Sequence, residues 1–154
     1  MSGPHRIGFT GSQHGVSKEQ RYALLHVLAR FRLSGVKWMH NGDCLGADNI
    51  AANLWHELDG KVHLHPPSID AKRAFIDAEF VETPRPYLDR NKDIVCSGDE
   101  LVATPAEMFE QQRSGTWATV RFARKIARPI TIVWPNGTFT REPLATPLND
   151  GERA

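Results

Sequence analysis

Glycine and hydroxyl residues stand together in short segments of this chain that follow candidate strands or open candidate helices. Glycine lets backbone N–H groups approach an anion closely, and serine and threonine add hydroxyl donors. A helix N-terminus adds unpaired N–H groups and the positive end of its dipole. These residue types therefore favour phosphate binding, although the same residues also occur at turns and caps for conformational reasons alone. The candidate ligand residues in these segments are Thr10, Gly11, Ser12, Gly42, Gly46, Thr104, Ser114, Gly115 and Thr116.

The glycine segments match neither of the two standard phosphate motifs. Gly11-Ser12 is not followed by the Gly-Lys-Ser/Thr of a P-loop, and the chain has no complete Gly-x-Gly-x-x-Gly for a dinucleotide. Neither a nucleoside triphosphatase nor an ordinary dehydrogenase is therefore predicted.

Charged and amide side chains near these segments offer further contacts. Asp43 and Asp48 flank Gly46, where they either hydrogen-bond a ribose or cap the helix that follows. Arg90 and Asn91 lie on a candidate helix after Tyr87, where an arginine either meets ligand or is a solvated surface charge.

Three histidines fall on candidate strands. His63 and His65 share one face of a strand but have no carboxylate or cysteine companion in the sequence pattern, and His40 is interpreted as structural. We therefore expect neither a metal nor a bound cofactor.

Strands and helices alternate along the chain. The predicted strands cover residues 5–10, 36–40, 61–65, 100–104 and 129–134. Helices are predicted from the Ser17 cap to Ser34, with Gln20 completing a capping box, and over 47–58, 70–81, 87–96 and 115–127. The Asn136-Gly137 turn can return residues 138–140 as a short antiparallel edge.

This alternation predicts an α/β protein with a Rossmann-like three-layer α/β/α sandwich. Its sheet is expected to be mostly parallel and five-stranded, with a short antiparallel hairpin at the C-terminal end. Residues 1–140 are expected to form a single domain and residues 141–154 a fraying tail. In such folds ligands bind beyond the carboxyl ends of the strands, where strand order reverses.

The amino-acid composition disfavours several classes of protein. The 154 residues are 40% hydrophobic and 24% charged, with 19 Lys and Arg against 18 Asp and Glu. A net charge of +1 disfavours a nucleic-acid binder that depends on its basic charge. Two distant cysteines and the lack of a long apolar run favour a reducing, cytoplasmic location without membrane insertion.

Four segments in order carry a family resemblance. They are Gly8 to Ser12, His40 to Asp48, Tyr87 to Asn91, and Ser114 to Thr119. Together they resemble the SLOG superfamily, in particular its small YspA/YpsA-related branch, over about residues 6–135. The resemblance implies a Rossmann-like sheet that binds nucleotides or nucleotide-derived molecules, and a homodimer. Relatives include the LOG-type phosphoribohydrolases and the DNA-uptake protein DprA.

The resemblance also implies a change at the catalytic carboxylate. Arg90 matches the arginine of the LOG-type hydrolases, and Gly115-Thr116 matches the Gly-Thr of their Pro-Gly-Gly-x-Gly-Thr-x-x-Glu motif. Thr119 stands where that motif has glutamate. A threonine carries no charge to stabilise an oxocarbenium-like state. Asp43, Asp48 or Glu107 would have to supply the carboxylate from another loop.

These observations predict a binding protein for a nucleotide or a nucleotide-derived small molecule. Phosphates are expected at the Gly11-Ser12 loop and at the helix start Ser114 to Thr116, with Arg90 neutralising charge. Asn91 and Asp43 would read ribose or base edges, and Thr104 would line the floor. The alternatives are an N-glycosidase acting on nucleoside monophosphates, with Asp43, Arg90 and Glu107 as its catalytic candidates, and single-stranded DNA binding.

Overall fold

A computed structural model describes residues 5–143 of the chain. The strands are β1 (Arg6–Gly11), β2 (Trp38–Asn41), β3 (Lys61–Leu64), β4 (Phe80–Val81), β5 (Glu100–Thr104), β6 (Ile130–Val133) and β7 (Phe139–Glu142). The helices are α1 (Lys18–Leu33), α2 (Ala47–Glu57), α3 (Tyr87–Ser97) and α4 (Gly115–Lys125). None of the helices in this part of the chain is long and apolar enough to cross a bilayer.

The strands form one sheet in the order β4-β3-β2-β1-β5-β6-β7. All pairs are parallel except β6 with β7, which is antiparallel as the Asn136-Gly137 turn predicts. The Rossmann-like sandwich and its C-terminal hairpin are therefore confirmed. Because the chain moves outward from β1 to β4 and then returns to the other side at β5, strand order reverses between β1 and β5.

Helices cover both faces of the sheet because the strands are apolar on both sides. On β5, Val102 packs in a core with side chains of α1 and α2, whereas Leu101 and Ala103 pack with those of α3 and α4. Successive side chains of a strand point to opposite faces, so one strand serves both layers. Trp55 and Trp117 are the largest buried side chains of the two cores.

The helix predicted over 70–81 is wrong. The structure has a single 3-10 turn, Asp70–Lys72, and then extended chain that ends in β4, so the sheet gains a strand on its far edge. The amides of Ala74 and Ile76 donate to the backbone and side-chain oxygens of Asp43, at 2.8 Å each, instead of to helical carbonyls. Phe75 between them has φ +53°, which a helix excludes.

β7 ends at Glu142, two residues beyond the domain boundary predicted at residue 140. The rest of the predicted tail, residues 144–154, lies outside the described residues.

Gln20 ties the first helix to the carboxyl ends of two strands. Its Nε2 donates to the carbonyls of Pro105 at 2.9 Å and Val133 at 2.7 Å. The predicted capping box with Ser17 is also present, since Gln20 N donates to Ser17 Oγ and Gln20 Oε1 accepts from Ser17 N. The side chain is 1% exposed, so both carbonyls depend on it.

We expect Gln20→Ala to lower the free energy of unfolding by about 2 to 4 kcal/mol, because it leaves two carbonyls without donors in a buried position. Denaturant unfolding measures the change. Gln112→Ala, at an exposed position, is the matched control and should change stability by less than about 0.5 kcal/mol. Equal effects of the two substitutions would contradict this account of Gln20.

Candidate functional site

A cleft lies at the carboxyl ends of β1 and β5, where strand order reverses. It has a volume of about 270 Å³ and brings together two of the predicted phosphate segments, which lie about a hundred residues apart in the chain. From the β1 end it is lined by Gly11 and Ser12, and from the start of α4 by Ser114, Gly115 and Thr116. We call it the switch-point cleft.

The start of α4 presents free backbone donors to this cleft. Ser114, predicted to lie at the start of this helix, is its N-cap, and its Oγ accepts from Trp117 N at 3.2 Å. The amides of Gly115 and Thr116 form no hydrogen bond within residues 5–143. They belong to the first turn of the helix, whose N–H groups have no intrahelical acceptor and lie at the positive end of the helix dipole.

Gly115 is required by the close approach of Tyr87. A Cβ at Gly115 would lie 1.9 Å from Tyr87 Oη and 2.9 Å from its Cζ. The Tyr87 hydroxyl therefore sits against the helix start, and burial raises its pKa above the usual value, so it stays protonated. The cleft gains a neutral hydroxyl beside its free amides.

The β1 loop has used most of its backbone groups on the protein itself. Ser12 N donates to the carbonyl of Thr104 at 3.2 Å, and Ser12 O accepts from Ala47 N, the first amide of α2, at 2.9 Å. His14 N donates to Ser12 Oγ at 3.1 Å, which fixes the loop further. Ser12 can therefore offer its hydroxyl proton to a ligand, but its amide is already paired.

Gly11 and Gly46 allow the chain after β1 to pack closely against its neighbours. A Cβ at Gly11 would lie 2.2 Å from Thr104 Oγ1, and one at Gly46 would lie 2.3 Å from the carbonyl oxygen of Gln13. Gly46 also has φ +89°, a conformation that other residues rarely adopt. Both glycines are therefore required because the neighbouring atoms leave no room for a side chain. The predicted ligand residue Thr10 lies within β1, where it pairs with Ala103 of β5.

The segment after β5 contributes two charged side chains, Glu107 and Arg113, to the lining of the cleft. Glu107, named in the sequence analysis only as a substitute carboxylate, lines the cleft, and its Oε1 accepts from Trp117 Nε1 at 3.1 Å. Arg113 and His14, which were missed, line the cleft as well. The polar, aperiodic stretch 106–113 gives no signal for this placement, because Arg121 and Arg124 on α4 hold it there through Glu110.

Asp43 is fully buried and has a structural role. Its Oδ2 accepts from Arg73 Nε at 2.7 Å, and its Oδ1 accepts from Ile76 N at 2.8 Å. It does not line the switch-point cleft. Both carboxylate oxygens are therefore engaged in holding the segment that replaces the predicted helix.

Arg90 is buried behind the cleft rather than exposed within it. Its guanidinium lies 4.6 Å from the Tyr87 ring centre, and Nη2 lies 2.9 Å from Cys44 Sγ. A Cβ at Gly42 would lie 1.5 Å from Nη1, so this glycine makes room for the arginine. The predicted Arg90 is brought against Tyr87 but not to the lining of the switch-point cleft.

Asp48 stabilises the loop between β2 and α2. Its Oδ2 accepts from Cys44 N at 3.0 Å, and its carbonyl accepts from Asn41 Nδ2 at 3.1 Å. Burial raises the pKa of the Asp48 carboxyl to about 6, although nearby Arg90 acts in the opposite direction. Asp48 is thus a buried acid beside a buried cation.

Three of the predicted ligand residues hold buried polar atoms without partners. Within residues 5–143 these atoms are Arg90 Nε, Asn91 Nδ2 and Thr104 Oγ1. Such atoms are rare in folded proteins, because each costs about 1 to 3 kcal/mol when left unpaired. Thr119 differs from them, since its Oγ1 donates to Gly115 O at 2.8 Å inside α4.

We expect Asp48→Asn to gain stability relative to the parent as pH rises from about 4 to about 6. The folded protein keeps the proton of Asp48 longer than the unfolded chain does, so the parent loses stability through this window, by at most about 1.4 kcal/mol per pH unit. Urea unfolding of both proteins at pH 4.5 and 7.5 measures the difference. Asp89→Asn, at an exposed position, is the control, and a pH-independent effect of Asp48→Asn would disprove the explanation.

No family model and no curated protein matches this chain. Several solved structures, however, match this chain. The molybdenum cofactor binding protein from Rippkaea orientalis has a TM-score of 0.64 and 19% identity over 82% of this chain and 74% of its own. The molybdenum cofactor carrier protein from Chlamydomonas reinhardtii has a TM-score of 0.56 and 20% identity over 82% and 74%.

A third structure is DNA processing protein A from Helicobacter pylori, solved for its single-stranded DNA binding mode. Its TM-score is 0.60, with 17% identity over 84% of this chain and 65% of its own. Identities at this level show a common fold rather than a common function. The chain therefore shares its Rossmann-like fold with these three proteins.

Proposed function

We propose that this protein binds a nucleotide or a nucleotide-derived small molecule in the switch-point cleft. The observation that carries the proposal is that the chain near Ser12 and the start of α4 line one cleft, into which α4 brings two amides without partners. Free amides at a helix start, with glycine allowing close approach, are the usual protein site for a phosphate.

The proposed contacts with the ligand use the hydrogen-bond donors and the positive charge that line the cleft. The amides of Gly115 and Thr116 bind phosphate oxygens, Ser12 adds its hydroxyl, and Arg113 neutralises charge from the rim. Thr104 Oγ1 is buried against Gly11 without a partner in residues 5–143, but Thr104 is not among the residues that line the cleft. A cleft of about 270 Å³ lies just below the usual range for ligand pockets, so it holds the phosphate and sugar while the base extends toward solvent.

A carrier or sensor role is favoured over turnover in this proposal. Two of the similar structures are described as a molybdenum cofactor binding protein and a molybdenum cofactor carrier protein. Thr119 stands in place of the glutamate expected of a hydrolase, and its hydroxyl is engaged by Gly115 O. Asp43 is left out of the proposed site, because Arg73 and Ile76 occupy its oxygens.

A homodimer remains part of the proposal through the resemblance. Large apolar side chains are exposed next to the cleft-lining residues Tyr87 and Glu107: Leu88 is 65% exposed, Met108 47% and Phe109 70%. Burying such side chains against a second copy would be favourable.

A panel of nucleoside monophosphates, ADP-ribose and cyclic nucleotides should contain a compound that raises the melting temperature. At a hundredfold excess over Kd the added stability is about 2.7 kcal/mol. Arg113→Ala should weaken that binding about tenfold by calorimetry, because it removes a charge-assisted contact. Arg21→Ala removes an exposed arginine on α1 and serves as the control. A panel without any thermal shift would refute the proposal.

Gly115→Ala provides a sharper variant of the same test. The added methyl must displace Tyr87 from the helix start, so it should abolish binding. Circular dichroism should show that the fold is kept, since alanine suits the first turn of a helix. Unchanged binding by this variant would place the ligand elsewhere.

The second candidate is an N-glycosidase, and the position of Glu107 favours it. This carboxylate lies in the same cleft as Gly115 and could stabilise an oxocarbenium-like state. If the protein is such an enzyme, free base will appear from a nucleoside monophosphate, and Glu107→Gln will lower the rate by at least about a hundredfold. Chromatographic detection of the base measures it. If the parent protein releases no free base over hours, the N-glycosidase proposal is refuted and only the binding function remains.

A further inference from the structure

Three histidine side chains meet on one face of the sheet, away from the residues that line the switch-point cleft. His40 on β2 and His63 on β3 are register partners, and His65 follows two residues after His63, so all three share a face. One ring nitrogen from each lies within 4.8 Å of the others. We call His40, His63 and His65 the histidine cluster.

The cluster is unusual for its place in the fold. Inner strands of a parallel sheet are ordinarily apolar on both faces, because helices cover them, and a buried polar ring is costly without partners. His40 Nδ1 and His65 Nε2 lie 2.8 Å apart, and the His63 ring stacks on both neighbours, at 4.3 and 4.9 Å between centres. The third ring therefore has no histidine nitrogen as a hydrogen-bond partner.

A carboxylate completes the group. Glu82 Oε2 lies 2.7 Å from His63 Nε2, which leaves Nδ1 of that ring for another partner. Histidines that bind metal ordinarily give their other ring nitrogen to a carboxylate or carbonyl, which fixes the tautomer and raises ligand basicity. Glu82 directly follows β4 and the helix predicted over 70–81, and its approach to His63 depends on extended chain where that helix was predicted, so the sequence pattern alone shows no carboxylate companion for these histidines.

We propose that the histidine cluster binds a divalent transition metal ion of the zinc class. Three imidazoles and an orienting carboxylate are the ligand types that zinc takes in proteins, with a fourth position left to water or an anion. His65 and Glu82 also line a second cleft, of about 320 Å³, together with Thr83, Arg85 and Arg90. Of the three proposed ligands, His65 is thus reached from solvent through this cleft.

Two of the three rings, those of His40 and His65, have lowered pKa values. Burial, followed by the neighbouring histidines, lowers the pKa of His40 to about 3, and burial lowers that of His65 to about 4. Both rings are therefore neutral at pH 7, as metal ligands must be. The rings stack rather than converge, so binding requires rotation about χ2, which is a broad torsion in histidine.

Calorimetric titration of the tag-free full chain with Zn²⁺ tests the proposal. One ion should bind per chain, and His63→Asn or His65→Asn should each reduce the affinity by more than about a hundredfold. Glu82→Gln should reduce it about 10- to 100-fold, because Glu82 acts through His63. The control is His26→Asn, an exposed histidine on α1, which should leave the affinity unchanged.

Spectra of the parent protein make the test independent of variants that fail to fold. Co²⁺ should give the intense visible bands of a tetrahedral site, and zinc should shift the NMR signals of the three cluster rings but not those of His26. Absence of saturable zinc binding, or binding that leaves these ring signals and the affinities of the variants unchanged, overturns the proposal.

Discussion

The reversal of strand order between β1 and β5 is the constraint on which the proposed site depends. Because the connections from these two neighbours leave to opposite sides, a crevice opens at their carboxyl ends. The hydrogen bond from Ser12 N to Thr104 O joins the two lips at their base. The start of α4 then forms one wall, and its Gly115 and Thr116 amides have no partner within residues 5–143.

The helix starts and the C-terminal hairpin could be predicted from the sequence, because each depends on a short local pattern of residues. Ser17 with Gln20, Ser114 at the start of α4, and the Asn136-Gly137 turn all do in the structure what their residue types predict. The meeting of two predicted phosphate segments, Gly11-Ser12 and Ser114 to Thr116, at one cleft was also predictable, because parallel strands place their carboxyl ends on one edge of the sheet.

The failures have a common cause, which is contact between residues far apart in the chain. Asp43 lies some thirty residues before Ile76, yet it accepts hydrogen bonds from the Ala74 and Ile76 amides that a helix would have used. The helical spacing of the apolar residues in this segment does not reveal these contacts. The same segment carries Glu82 to the histidine cluster. Arg113 lies at the cleft directly after a loop that Arg121 of α4 holds through the carbonyls of Gln111 and Gln112. Side-chain anchors of this kind override periodicity without leaving a pattern of their own.

The two ends of the sheet differ in kind but share one property. β4 has only two residues, and β7 is antiparallel with charged side chains held in place, Arg141 by Glu100 and Glu142 by Arg124. Short or charged borders of this sort are poor templates for adding a foreign strand. Growth of the sheet from one molecule into the next is thereby discouraged at both of its edges.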